Sequence, residues 1–224
     1  RICEPEKWNS FIRETIKRLN EMYSERAVSI PVLPSQIKVE DVKELVTQLD
    51  KLPIGIYKTS LGLATYDFKN NLVNIISAKN IDIVAEYITH LYEEINLLEN
   101  VEITLFDAEG IVQETRKNLK LDYQNYSLRI QNNLSKTKHN VCIILGIDKF
   151  LTSIETSILA DLKKAEELKN YTFIVVDSVF KLKNHEYDDW YKAYITKDSG
   201  IWVGNGVSDQ YLIRLNSSNR NLVN

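Results

Sequence analysis

The stretch Asn71-Leu-Val-Asn-Ile-Ile-Ser-Ala-Lys-Asn-Ile-Asp-Ile-Val84 decides how the chain is read. Leu72 to Ile76 is a short apolar run rich in β-branched residues, which suits a buried strand. Immediately after it, Ile81, Val84, Ala85, Ile88, Leu91, Tyr92, Ile95 and Leu98 recur at helical spacing. A strand that feeds a long helix through a short turn is where a phosphate-binding loop sits. Such a loop needs glycines that let backbone N–H groups close on the phosphates, followed by Lys and then Ser or Thr. Laid on G-x-x-x-x-G-K-[ST] without a gap, the stretch puts Ser77 and Asp82 at the glycines, Ile83 at the lysine and Val84 at the hydroxyl position. None of the four matches. Lys79 lies four positions before the usual lysine, and the carboxylate of Asp82 takes the place near the helix N-terminus that an anion would use. Ser77, Lys79, Asn80, Asp82, Ile83 and Val84 are therefore read as a degenerate phosphate loop.

Working outward, Trp8 to Arg26 carries an amphipathic stripe of Trp8, Phe11, Ile12, Thr15, Ile16, Leu19 and Tyr23. Packing on the core is the expectation for it, with partner binding as the alternative. Ile30-Pro-Val-Leu-Pro34 reads as an extended connector, and Val39 to Leu49 as a second, shorter helix. Ile54–Tyr57 and Leu63–Phe68 alternate as hairpin strands. Residues 1–52 are taken as an N-terminal helical and linker segment packed on the core formed by 53–224.

Further along, Val101–Asp107 reads as a strand, Tyr123–Leu134 as a helix, and Lys136–Asn140 as a polar loop. Val141–Leu145 is a strand covered on both faces, and Ile154–Leu168 a helix. Tyr171–Val176 is another buried strand; Gly200–Gly204 and Tyr211–Leu215 close the sheet. Strands alternating with long helices imply an α/β fold of right-handed βαβ units with a predominantly parallel sheet.

With 224 residues, 44% hydrophobic and 26% charged, the chain can bury a full core. A net charge of −3 with interspersed signs argues against a broad nucleic-acid surface, so no nucleic-acid partner is expected. Cys3 and Cys142 are too few for a disulfide framework, and Cys142 reads as a buried thiol. No apolar run approaches the roughly 20 residues that span a bilayer. Because the chain begins with Arg, it is read as a piece of a longer one.

Pro53–Ile56, the hairpin, the Leu72 and Val141 strands, Ile174-Val-Val-Asp-Ser178, Asp188-Asp-Trp-Tyr191 and the tail Gly200–Leu215 resemble a FtsK/SpoIIIE-type ATPase module. More narrowly, they resemble the C-terminal, third module of EssC-type membrane ATPases of type VIIb secretion. The resemblance implies a RecA-like, P-loop NTPase-type fold and a cytosolic domain of a membrane-anchored parent. It also implies stacking on adjacent ATPase modules, a hexameric parent, and engagement of secreted substrate proteins. In an active module the Val141 strand would end in an acidic pair that holds Mg²⁺; here Gly146 and Ile147 stand there, with Asp148 beyond them. Asp148 is read as a turn or cap residue, not a ligand. No ATP or Mg²⁺ is expected in this domain.

An alternative reading keeps weak or regulatory ATP binding, completed by Arg116, Arg129 or Arg214 reaching a neighbouring subunit's site. DNA translocation, from the wider family, is disfavoured by the acidic balance. Asp107 and Asp177 end strands where ligands of open α/β sheets bind and could line a pocket with Ser77, Asn80 and Ser178; capping is the competing role. His90, His139 and His185 have no partner at metal-ligand spacing, so no metal site and no nucleophilic triad is read. Tyr187, Trp190, Tyr191, Tyr194 and Trp202 form the densest aromatic cluster and are the candidate partner surface, with inward packing as the alternative.

Overall fold

The structure is a computed structural model that describes residues 5–22, 37–58, 60–107, 110–112, 138–153 and 170–214. Cys3, Arg116, Arg129, the connector at 30–34, the expected helices at 123–134 and 154–168, and Leu215 lie outside the described residues.

Five parallel strands make the main sheet: β3 (Val73–Ala78), β4 (Val101–Asp107), β5 (His139–Leu145), β6 (Tyr171–Ser178) and β7 (Ile201–Val203), ordered β4-β5-β6-β3-β7. The continuous apolar runs read from sequence are these strands. Their alternate side chains enter two cores. Ile76, Ala78, Val141, Ile143, Leu145, Ile174 and Val176 face one side; Val73, Ile75, Cys142, Ile144, Phe173 and Val175 face the other. Burial on both faces is why no polar alternation shows in these runs.

The first side is covered by α3 (Ala85–Asn96), which buries Ile88, Leu91 and Ile95 at helical spacing. On the same core lie Val46, Leu49 and Leu52. The expected helix at 39–49 is only α2 (Val39–Val42), followed by a separate single turn of 3-10 helix at Leu49–Lys51. Leaving the helix lets the Leu49 carbonyl accept from Phe68 N at 3.1 Å, tying this segment to the end of the hairpin. That hairpin, β1 (Leu52–Ile56) with β2 (Leu63–Tyr66), is antiparallel and forms its own two-stranded sheet. Three short helices belong to the second side: α4 (Ile147–Ser153), α5 (Val179–Asn184) and α6 (Asp189–Tyr194), which contribute Phe150, Leu182 and Trp190.

Helix α1 and the tail also differ from the sequence reading. Helix α1 (Pro5–Met22) exists, with Pro5 tolerated at its first position, where an N–H would have no helical partner. Of its expected stripe, however, Phe11, Ile12, Ile16 and Leu19 are exposed. The described part of the tail, Tyr211–Arg214, is not a strand. The Gln210 side chain accepts from Ile213 N and donates to Ile213 O, each at 2.7 Å, so it satisfies backbone groups that a sheet neighbour would otherwise take.

Candidate functional site

The C-terminal ends of β3, β5 and β6 converge where an ATPase fold would hold nucleotide. β3 runs further than the apolar pattern suggests, so Ser77 and Ala78 are strand residues. Ser77 is fully buried and its Oγ donates to the Asp177 carbonyl at 3.0 Å. Lys79 and Asn80 follow, and a 3-10 turn (Ile81–Val84) precedes α3. The turn closes on itself. Asn80 Oδ1 accepts from Asp82 N at 3.2 Å, and Asn80 Nδ2 donates to Asp82 Oδ2 at 3.2 Å. Ile83, at the lysine position, reaches over Gly204, where an added Cβ would lie 2.6 Å from Ile83 Cδ1. Val84, at the hydroxyl position, is 1% exposed and belongs to the core.

The strand-end acidic position is also occupied by something else. Gly146 adopts φ +82, the left-handed region that glycine enters at little cost, and turns the chain from β5 directly into α4. This aims Ile147 N at Asp177 Oδ2, 2.9 Å away, while Ser178 N donates to Asp177 Oδ1 at 2.7 Å. Burial raises the Asp177 pKa; the two N–H donors and Lys181, 3.9 Å away, pull it back. Asp107 accepts from Ile111 N and Val112 N at 3.0 and 2.9 Å. Both aspartates thus hold the chain's own backbone, the capping role.

Asp148 is not a cap before a later helix. It sits in the first turn of α4, and its Oδ1 lies 2.7 Å from His185 Nε2. His185 Nδ1 lies 2.7 Å from Asp188 Oδ2, which also accepts from Trp190 Nε1 at 3.3 Å. The ring therefore clamps α4 to the segment between α5 and α6. Sequence spacing missed this cluster; His185-x-x-Asp188 was its only local sign.

The aromatic cluster does not form one surface. Trp190 and Tyr191 are 4% and 6% exposed and pack into the second core, so they are corrected to structural residues. Burial of large rings on a short helix outweighs any surface role. Tyr194 and Trp202 are partly buried against the same core, leaving Tyr187, 79% exposed, as the only freely accessible member. Arg214, proposed to act in a neighbouring site, pairs with Asp198 at 3.1 Å. Among the described residues no group of His, Cys, Asp and Glu is placed to hold a metal ion, and no helix is long and apolar enough to cross a membrane.

A separate cavity of about 160 Å³ opens between α2, the hairpin and α3, lined by Val42, Ile54, Leu63, Tyr87, Leu91 and Glu94 among others. Burial pushes the Glu94 carboxyl up to about 7. The Tyr87 hydroxyl is buried without a hydrogen-bond partner. Neither residue stood out in the sequence, although Tyr87, Leu91 and Glu94 share one helical face beside the apolar stripe.

No known protein-family profile and no curated protein matches the sequence. Solved structures do. The cytoplasmic domain of EssC is similar over 96% of this chain and 49% of its own, with 11% identity and a TM-score of 0.59. EssC ATPases 2 and 3 from Geobacillus thermodenitrificans are similar over 96% and 46%, with 12% identity and a TM-score of 0.60. Thermomonospora curvata EccC, a type VII secretion ATPase, is similar in its cytoplasmic domain over 91% and 29%, with 14% identity and a TM-score of 0.54. The chain spans about half the length of the EssC structures it matches. The parallel sheet and its helices therefore carry the RecA-like fold found in the cytoplasmic ATPase regions of EssC and EccC.

Proposed function

We propose that the chain is a catalytically silent ATPase-fold module of a type VII secretion ATPase. Its role is docking of secreted substrate proteins and assembly with adjacent modules of a hexameric, membrane-anchored parent, on the cytoplasmic side. The observation that carries this reading is the closed turn after β3. The Asn80 side chain takes the Asp82 N–H that could face a phosphate, the Asp82 carboxylate repels one, and Val84 lies in the core. A further structure, EccC ATPases 2 and 3 in complex with a signal sequence peptide, supports docking by analogy of fold (TM-score 0.50).

Calorimetric titration with ATP and Mg²⁺ tests the silent site. The expected result is no binding; micromolar binding with hydrolysis overturns it and restores a site completed by a neighbour. Docking is tested by binding of the parent system's purified secreted proteins to the immobilised chain. No retention of any of them overturns that part. Trp190→Ala would damage the core, so Tyr187→Ala is the appropriate surface variant.

A further inference from the structure

The cavity between α2, the β1–β2 hairpin and α3 combines an aliphatic wall with unspent polar capacity. Val42, Ile54, Leu63 and Leu91 line it together with Tyr87 and Glu94. The Tyr87 hydroxyl is buried with no hydrogen-bond partner. A buried polar group without a partner is costly, and natural structures seldom leave one unless something else pairs with it. Among the described residues the Glu94 carboxylate has no ion pair.

The basic side chains lining the cavity are Lys38, before α2, and His90, on α3. Neither lowers the Glu94 pKa; burial is its sole cause of displacement. His90 instead lies 4.0 Å from Glu86.

Size narrows the occupant. Small-molecule pockets run to about 300–1,000 Å³, whereas about 160 Å³ accommodates one long side chain. The wall beside it is β1, which pairs only with β2 among the described strands, so no described strand takes its other edge, the position at which a partner's backbone would add. We propose that this cavity receives a lysine or arginine side chain presented by a partner protein segment. The aliphatic stem lies along Val42, Ile54 and Leu91, and the cationic end meets Glu94 and the Tyr87 hydroxyl. Charge complementarity selects the cation, because a buried carboxylate gains most from a donor that is itself charged. The inference rests on the docking reading above and names the kind of side chain it takes.

The test is an NMR titration of the ¹⁵N-labelled chain with N-acetyl-lysine methylamide, its norleucine counterpart, and pentylammonium. At pH 8 the lysine probe should shift the amides around Val42, Ile54 and Leu91 and bind at least about tenfold more tightly than norleucine. Glu94→Gln should abolish that preference while still melting in a single cooperative transition, and Tyr87→Phe should reduce the preference. Lowering the pH from 8 to 6 should weaken lysine binding about tenfold, as the ionised fraction of a carboxyl titrating at about 7 falls. Equal binding of norleucine, no shifts at the cavity, or a preference that survives Glu94→Gln overturns the proposal. Binding of pentylammonium with exclusion of the lysine probe also overturns it, in favour of a free amine. Retention of secreted proteins alongside failure here would leave the docking reading standing on another surface.

Discussion

Replacing Glu94 by Gln should stabilise the chain, and only above mildly acidic pH. The carboxyl lies on α3, half-buried at the cavity, and its pKa rises from 4.5 to about 7 through loss of hydration. The folded state therefore holds this proton more tightly than the unfolded state does. For such an acid no penalty exists below the unfolded value near 4.5. Stability is lost as pH climbs from there to about 7, and the loss is complete beyond it. At full weight the displacement corresponds to about 3.4 kcal/mol. The side chain keeps partial contact with water, which trims this to about 1–2 kcal/mol.

Glutamine preserves shape and carries no charge at any pH. Urea and thermal unfolding of both proteins should give curves that converge near pH 4.5 and separate by about 1–2 kcal/mol at pH 8. For a chain of this length the separation is about 2–8 °C in Tm. Two outcomes refute the reasoning: a difference that stays constant with pH, or a less stable Glu94→Gln protein at pH 8. Either would mean that the carboxylate is already compensated in the folded chain.

Gly204→Ala should cost about 1–3 kcal/mol, because the position combines left-handed backbone with an approach to Ile83 Cδ1. Adding Ile83→Ala should recover part of that cost, which a double-mutant cycle in urea would read. Val84→Thr should destabilise by about 1–3 kcal/mol by burying a hydroxyl, with no heat of ATP binding gained in calorimetry. Ile16→Glu on the exposed stripe of α1 should leave stability within about 0.5 kcal/mol, measured by urea midpoint; a larger loss would show that the stripe is covered within the chain.

Much of the fold was legible because it depends on local pattern. Val141–Leu145 is a continuous apolar run and Tyr171–Val176 is broken only by Thr172, the pattern of short strands buried on both faces. The hairpin and α3 announce themselves by periods of two and 3.6. What failed depends on tertiary partners. Val39 to Leu49 has helical spacing, but the Leu49–Phe68 backbone contact draws the chain out of the helix. The same composition that marks a binding surface put Trp190 and Tyr191 into the core. That Asp82, Ile83 and Val84 depart from the phosphate-loop residue types could be read from the sequence alone. The His185 clamp could not, since Asp148 is distant in sequence and becomes a neighbour only through the Gly146 turn. The cavity draws on three separated segments, so no window of sequence contains it.

The pairing of β3 with β6 matches Asn74 to Ile174 and Ser77 to Asp177. The inner ladder of the sheet can therefore close only after the ribosome has delivered the residues through Ser178. Until then the hairpin, β3 and α3 wait with their apolar faces uncovered. Such long-range closure slows folding and lengthens exposure to chaperones and misassembly. A stalled nascent chain ending before Tyr171 should accordingly be a client for holding factors, while one extended past Val203 should not.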